Sequence, residues 1–312
     1  MSFLVIGESV ADIVRSPGRD DVTHPGGSPA NVAYGLARLG HTTALLTQLG
    51  ADPAGGLIAG HLRSAGVEVL TGGRERTPTA VVTLDEHGGA RYAFDIEWTL
   101  RDEGQPLGQP RHVHFGSIAA VREPGAPATL AVVARLRERA GVSYDPNVRP
   151  QLMGDHAAAV AQVERCVALS DLARASDEDL AWLYPGEPVD SVAARWLALG
   201  PAAVLVTLGA EGCTGFTRGG TATAPALPAT VADTVGAGDA FTAATLDALA
   251  ALDLLGAPAR PALAALTPDT LAGVLRHAAA AAAITVSRPG ANPPTAQELN
   301  RCLSVRSVPA TG

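Results

Sequence analysis

Residues 233–241 read DTVGAGDAF, and their types imply a chemistry. Gly236, Ala237 and Gly238 are three small residues leading into an apolar run, AFTAATLDALA, that reads as a helix. Backbone N–H groups can converge on an anion at such a start, and the helix dipole favours negative charge there. Asp239 stands just past that nest, where it would repel a static phosphate. The acid makes sense if its partner is a substrate hydroxyl. It then takes the hydroxyl proton while the nest holds the charge on a transferring phosphoryl group. Read alone, the stretch serves equally well as a glycine-rich helix start whose acid complements the dipole. A dinucleotide fingerprint fits less well, because GAGDAF has no third glycine and follows no strong strand.

A second constellation is HPGGSPANVA, residues 24–33. Gly26 and Gly27 allow close backbone approach, and Ser28 can cap the helix whose first turn holds Asn31. Asn31 carries both donor and acceptor, which suits a polyol, although an ordinary capped loop would use the same residues. Asp12, just beyond the first strand in GESVADIV, can accept sugar hydroxyls at the sheet edge or simply be solvated. His112 and His114 alternate on a strand and share a face, but no third metal ligand is evident, so they read as ordinary strand histidines. His24 is a candidate rim residue, and His277 either borders a base pocket or packs.

The composition narrows the chemistry. All 23 basic residues are arginine and none is lysine, which removes Walker-type phosphate loops and Schiff-base catalysis. A net charge of −8 with no basic cluster argues against nucleic acid or an anionic membrane as partner. Cys166, Cys213 and Cys302 are isolated and odd in number, as expected for free thiols in a reducing cytoplasm. MSFLVIGES lacks a basic head and reads as a first strand and not a signal peptide, and no apolar run reaches the ~18 residues that span a bilayer.

These residues need a frame. Apolar strands (3–7, 43–50, 112–117, 142–146, 202–209) alternate with helices (31–40, 54–66, and near 125–140, 155–169 and 177–184), and the chain after 234 is nearly all helical. That order predicts an α/β fold, a central mostly parallel sheet flanked by helices, in a single domain over 1–312. Residues 8–24 and 69–98 break the rhythm as strands without helices, the second around an HGG turn. They predict a small β-sheet lid over the carboxyl ends of the parallel strands, where such folds bind ligands.

Together GGSPANVA and DTVGAGDAF resemble the two signatures of the ribokinase-like, or PfkB, carbohydrate kinases, and LGADPAGGLIAGHLRSAGV, HFGS, SYDPNVRP, VTLGAEG and SRPGA extend the likeness over almost the whole chain. The resemblance implies an ATP-dependent sugar kinase with Asp239 as catalytic base and Gly236, Ala237 and Gly238 as the anion hole. It implies Asp12, Gly26, Gly27 and Asn31 as the sugar site. Thr207, Gly209 and Gly212 would lie along the nucleotide, and Asp233 would open a turn that in many relatives binds a monovalent cation, with K+ the candidate. Mg2+ would arrive with ATP. Relatives often hold it through an Asn-x-x-Glu motif. The matching positions here are Ser176 and Asp179, with Asp177 and Glu178 as substitutes. Arg174 stands where fructokinase-like relatives often carry lysine, on the nucleotide side, and Arg149 can approach either phosphates or sugar, or serve only as a salt bridge at a helix start.

TPTAVVTLDEHGGARYAFDIEW resembles the fructokinase-like branch, with Phe94 rather than Tyr92 facing the sugar. Fructose is the leading substrate by that resemblance. A 2-keto-3-deoxygluconate-type sugar acid follows, paired with Arg149 or Arg91, and then ribose or a nucleoside. A non-catalytic sugar-binding regulator on the same fold is expected to lose the base, and Asp239 is present. The resemblance further implies a homodimer formed through the lid.

Overall fold

The computed structural model describes residues 2–15, 20–71, 76–84, 90–101, 104 and 106–306, and the side chains of 84, 90–92 and 305–306 fall outside it. The first half runs β1 (Ser2–Ile6), β2 (Val10–Arg15), β3 (Val22–Gly26), α1 (Ser28–Arg38), β4 (Thr42–Thr47), α2 (Pro53–Ser64), β5 (Glu68–Thr71), β6 (Thr79–Leu84), β7 (Ala90–Asp95), β8 (His112–Gly116), α3 (Ala126–Arg137) and β9 (Gly141–Asp145). The second half runs α4 (His156–Ala168), β10 (Leu172–Ser176), α5 (Asp177–Leu183), α6 (Val189–Leu199), β11 (Ala203–Thr207), β12 (Cys213–Thr217), β13 (Gly220–Ala224), α7 (Ala237–Ala251), α8 (Arg260–Ala264), α9 (Pro268–Val286) and α10 (Ala296–Arg306).

Among the described residues the main sheet has nine strands in the order β13-β12-β11-β10-β9-β8-β1-β4-β5. All are parallel except the β12–β13 hairpin, which joins antiparallel to β11. Covered on both sides, its strands carry apolar residues on both faces. Phe3 and Val5 of β1 enter the core under α1, α2, α7 and α9, and Leu4 and Ile6 enter the core under α3, α4 and α6. Alanine lets α7 lie close against α1 and α9. This is the expected α/β architecture.

A second sheet, β3-β2-β6-β7, stands apart and contains the only parallel pair outside the main sheet among the described residues, β2 with β6. The expected lid over 69–98 is too wide. β5 pairs in parallel with β4 at the edge of the main sheet, because Val69 and Leu70 pack into the two opposite cores. Beyond β7 the chain returns to the body and buries Trp98 completely. The HGG turn at 87–89 lies outside the described residues, as do the side chains of Arg91 and Tyr92.

The strand histidines are packing groups. His112 and His114 are both buried and share the Ser143 hydroxyl at 2.9 Å each. Burial pushes both imidazoles down to about 3, so they stay neutral near pH 7. Cys166 and Cys213 are buried and Cys302 partly buried, and all three are free thiols.

His277 is a packing group as well. Asp247 on α7 accepts its Nε2 at 2.7 Å and His41 Nε2 at 2.9 Å, so one carboxylate ties α9 and the approach to β4 to α7. Burial opposes its charge, yet the two histidine bonds win and bring it down to about 2. A depressed acid stabilises the fold above its unfolded pKa of about 4, and that gain is lost as pH falls towards 2. Asp247→Asn is therefore expected to lower unfolding free energy by about 2 kcal/mol at pH 7. In urea melts the gap to the wild type should narrow below pH 4, and an equal gap at pH 7 and pH 3 would contradict this origin.

Candidate active site

The carboxyl ends of the parallel strands open into one cavity of about 1150 Å³. That exceeds the room needed by one drug-sized ligand and suits two substrates side by side. Its wall collects residues that follow β1, β8, β9, β10 and β11, together with the start of α7 and the inner face of the small sheet.

The start of α7 forms the floor. Gly236 is left-handed (φ 76°) and the helix begins at Ala237. The N–H groups of Gly236, Gly238 and Asp239 have no acceptor among the described residues, as expected at a helix N-terminus, and they line the cavity. Asp239 lies in the first turn beside them. Its Oδ1 accepts the Ser28 hydroxyl at 2.6 Å and its Oδ2 accepts the Asn31 amide at 2.8 Å. Burial raises its pKa, those two bonds lower it, and the nearby Asp145 charge raises it again. A carboxylate raised in this way and held in a fixed rotamer suits proton abstraction better than an ordinary surface acid.

Ser28 was expected to cap α1. The cap position is instead Gly27, and Ser28 is the first helical residue, with its hydroxyl spent on Asp239. The reason is tertiary: α1 packs directly on α7, so the nearest strong acceptor for Ser28 belongs to the other helix.

Behind the nest sits a charged network that sequence reasoning did not assemble. Arg174, at the centre of β10, is buried, with Nη1 donating to Asp145 at 3.0 Å and Nη2 donating to Thr207 Oγ1 at 2.5 Å. Asp145 also accepts the Thr242 hydroxyl at 3.3 Å and the Asn147 N–H at 3.1 Å. The guanidinium lies against Gly238, where an added Cβ would stand 2.9 Å from both terminal nitrogens.

The cavity has two chemically different ends. One is polar: Asp12, Gly27, Asn31, Phe94 and Arg149 line it, together with Glu8 and Asn147. Gly26 packs directly against the Asp12 carboxylate. Burial pushes Asp12 up to about 6, with His24 and Arg149 holding it lower. Glu8, which drew no attention in the sequence, is buried and pushed up to about 7, while it accepts the Ala119 N–H at 3.1 Å. Arg149 Nη1 donates to the Val148 carbonyl at 2.9 Å, which folds the side chain back along its own loop.

The other end is apolar, walled by Leu227, Phe241, Ala279, Ala282, Ala283 and Val286, with Thr207, Gly209 and Gly212 along its rim. Nothing in the periodicity of α9 marked that face, because three of its four residues from that helix, Ala279, Ala282 and Ala283, are alanines. Asp177 and Glu178 also line the cavity, whereas both Asp179 oxygens accept main-chain amides, from Val148 at 2.7 Å and Ser176 at 2.8 Å. Asp233 is held likewise by the amides of Val235 at 3.0 Å and Gly290 at 2.9 Å, and those bonds keep its carboxyl low. Among the described residues no group of three ligating side chains could hold a metal unaided.

A basic residue beneath an amide nest, with a fixed carboxylate beside it and one apolar and one polar end, is an arrangement for moving a phosphoryl group onto an alcohol. The model of the pfkB family of carbohydrate kinases matches residues 3–298. The chain belongs to that family. This carbohydrate kinase is 35% identical to a fructokinase of Klebsiella pneumoniae over 275 residues, 85% of this chain and 88% of the relative. Its fold superposes on a crystal structure of a Xylella fastidiosa fructokinase with bound ATP with a TM-score of 0.86 at 26% identity, covering 98% and 99% of the two chains. A Vibrio cholerae fructokinase crystallised with fructose, ADP and calcium ion gives a TM-score of 0.79 at 27% identity, covering 97% and 98%. The small sheet and the helical layers on both faces of the large sheet are thus the ribokinase-like architecture expected of such a kinase. No helix among the described residues is long and apolar enough to cross a membrane.

Proposed function

We propose that this kinase transfers the γ-phosphoryl group of ATP to a hydroxyl of fructose or a related ketose. One observation carries the reading. Asp239 is fixed by Ser28 and Asn31 in the wall that carries both the polar and the apolar lining, at the head of a helix where the N–H groups of Gly236, Gly238 and Asp239 have no acceptor among the described residues. In this reading the apolar end takes adenine, and Thr207, Gly209 and Gly212 border the nucleotide. The amides of Gly236, Gly238 and Asp239, with Arg174 behind them, face the γ-phosphate, whereas the Ala237 N–H expected among them donates instead to the Thr234 carbonyl at 3.3 Å. Asp12, Gly26, Gly27, Asn31 and Phe94 shape the sugar end.

As the sugar hydroxyl attacks, Asp239 accepts its proton and the nest meets the charge that spreads over the phosphoryl oxygens. Mg2+ fits the acidic wall near the phosphate path: Asp177 and Glu178 have carboxylates to offer through water, and Asp179 holds that turn to the backbone. The ion supplies charge neutralisation for the triphosphate. Asp233, which joins the turn before α7 to the segment at Gly290, is the residue that would organise a K+ site there.

A neutral ketose suits the polar end better than a sugar acid. Arg149 is folded back onto the Val148 carbonyl, and Glu8 and Asp12 line the same end of the cavity. A carboxylate substrate would meet those two acids as well as the arginine. A homodimer through the small sheet and action in the cytoplasm complete the proposal. Among the described residues the sheet ends on β3 and β7, with Val22 51% and Phe94 36% exposed, and open edges of this kind favour pairing.

The test is ADP release, measured with a coupled assay, from purified protein with ATP and Mg2+ over a panel of ketoses, aldoses, sugar acids and nucleosides. Fructose or a close ketose is expected to give the highest kcat/KM. No sugar-dependent ADP release would defeat the kinase reading, and a sugar acid or nucleoside preferred over every ketose would defeat the substrate assignment.

A further inference from the structure

We infer that Asp145 is a positioning residue of the phosphoryl-transfer centre, holding Arg174 flat beneath the amide nest and tying it to the catalytic helix through Thr242. The inference rests on the kinase reading above. Asp145 ends β9, is buried, and touches three elements at once. One oxygen accepts Arg174 Nη1 from β10 at 3.0 Å and Thr242 Oγ1 from α7 at 3.3 Å, and the other accepts the Asn147 N–H that begins the loop along the sugar end.

Three anions act on Arg174. The charge of Asp239 acts on it as well as those of Asp145 and Asp179. A guanidinium drawn onto the base would hold that base as a spent ion pair and leave the nest without its backing charge. Asp145 prevents this with a charge-assisted bond to Nη1, while Thr207 takes Nη2, so the fork is anchored at both tips. Gly238 supplies independent support. It lacks the Cβ that would collide with both tips, so main chain and guanidinium lie in contact where the phosphoryl group passes.

The experiment is a double-mutant cycle on the full chain with ATP, Mg2+ and the best sugar from the panel, using Asp145→Asn, Arg174→Met and both together. Because charged hydrogen bonds of this kind contribute one to two orders of magnitude, Asp145→Asn is expected to lower kcat about tenfold or more and leave the sugar KM within about twofold. The groups facing Asp239 are Ser28 and Asn31 from α1, Asp145 from β9 and Arg174 from β10. Removing Asp145 removes a charge that raises Asp239 and frees one that lowers it, so the acid limb of the kcat profile should move to lower pH. The double variant should be no slower than Arg174→Met alone, because a positioning residue has nothing left to position.

Wild-type kcat in Asp145→Asn, an unmoved acid limb, or losses that multiply in the double variant would overturn the inference. Should Asp145→Asn fail to fold with Arg174 left uncompensated, the double variant removes that buried charge. The comparison of the double variant with Arg174→Met then decides alone: equality supports positioning and a further tenfold loss refutes it. A wild-type protein with no sugar-dependent ADP release would instead defeat the kinase reading, which keeps the two failures apart.

Discussion

Asp239→Asn is expected to lower kcat about 10³-fold, which corresponds to about 4 kcal/mol of transition-state stabilisation. The substitution keeps the shape of the side chain and removes its ability to take a proton. It also disturbs one bond. The carboxylate accepts both Ser28 and Asn31, and an amide can accept only one of them with its single oxygen. Sugar affinity, followed by calorimetry, should change only a few-fold because the rest of the polar end is untouched. The wild-type rate should fall on the acid side as Asp239 protonates, whereas residual turnover in the variant should lose that limb. Turnover within tenfold of the wild type would remove Asp239 from the role of base.

The nest and the acid were legible because everything that defines them is local. Small residues before an apolar helix, followed by a carboxylate, mark a helix start with an acid in its first turn from nine consecutive letters. The parallel sheet was legible for a similar reason, since β-branched runs between helical runs leave few other arrangements. What escaped notice depends on partners far along the chain. Ser28 bonds to Asp239 across 211 positions, and no local pattern separates that hydroxyl from a helix cap. Arg174 was visible as a cation on the nucleotide side, but its two anchors come from neighbouring strands whose order the sequence does not spell out. Glu8 reads as one more residue after a first strand, and only the packing of Ser117 and Ala119 over it reveals a buried acid. β5 was assigned to the wrong sheet because four residues carry no register. Its membership was decided by which core could take Val69 and Leu70.

The two glycines of the nest separate stability from catalysis, and their alanine variants should fail in different ways. Gly236 is left-handed, at φ 76°, and an added Cβ would stand 2.6 Å from the Ala291 Cβ and 2.8 Å from its Cα. Left-handed strain alone costs about 1–2 kcal/mol in an L-residue, and backbone at the second contact cannot swing aside. Gly236→Ala should therefore unfold at lower urea and lose activity with it. Gly238 is already inside α7 with helical geometry, where alanine is favoured over glycine by about 1 kcal/mol. Its obstacle is the Arg174 guanidinium, 2.9 Å from the new Cβ and pinned by Asp145 and Thr207. Gly238→Ala is expected to melt within a few degrees of the wild type and yet lose about 10² in kcat, as when one preorganised donor is taken from a developing oxyanion. The cause is a displaced guanidinium and a narrowed nest, so the loss should sit in kcat while the sugar KM holds. Equal melting of the two variants, or a fully active Gly238→Ala enzyme, would mean that the contact between main chain and guanidinium contributes nothing to the transfer step.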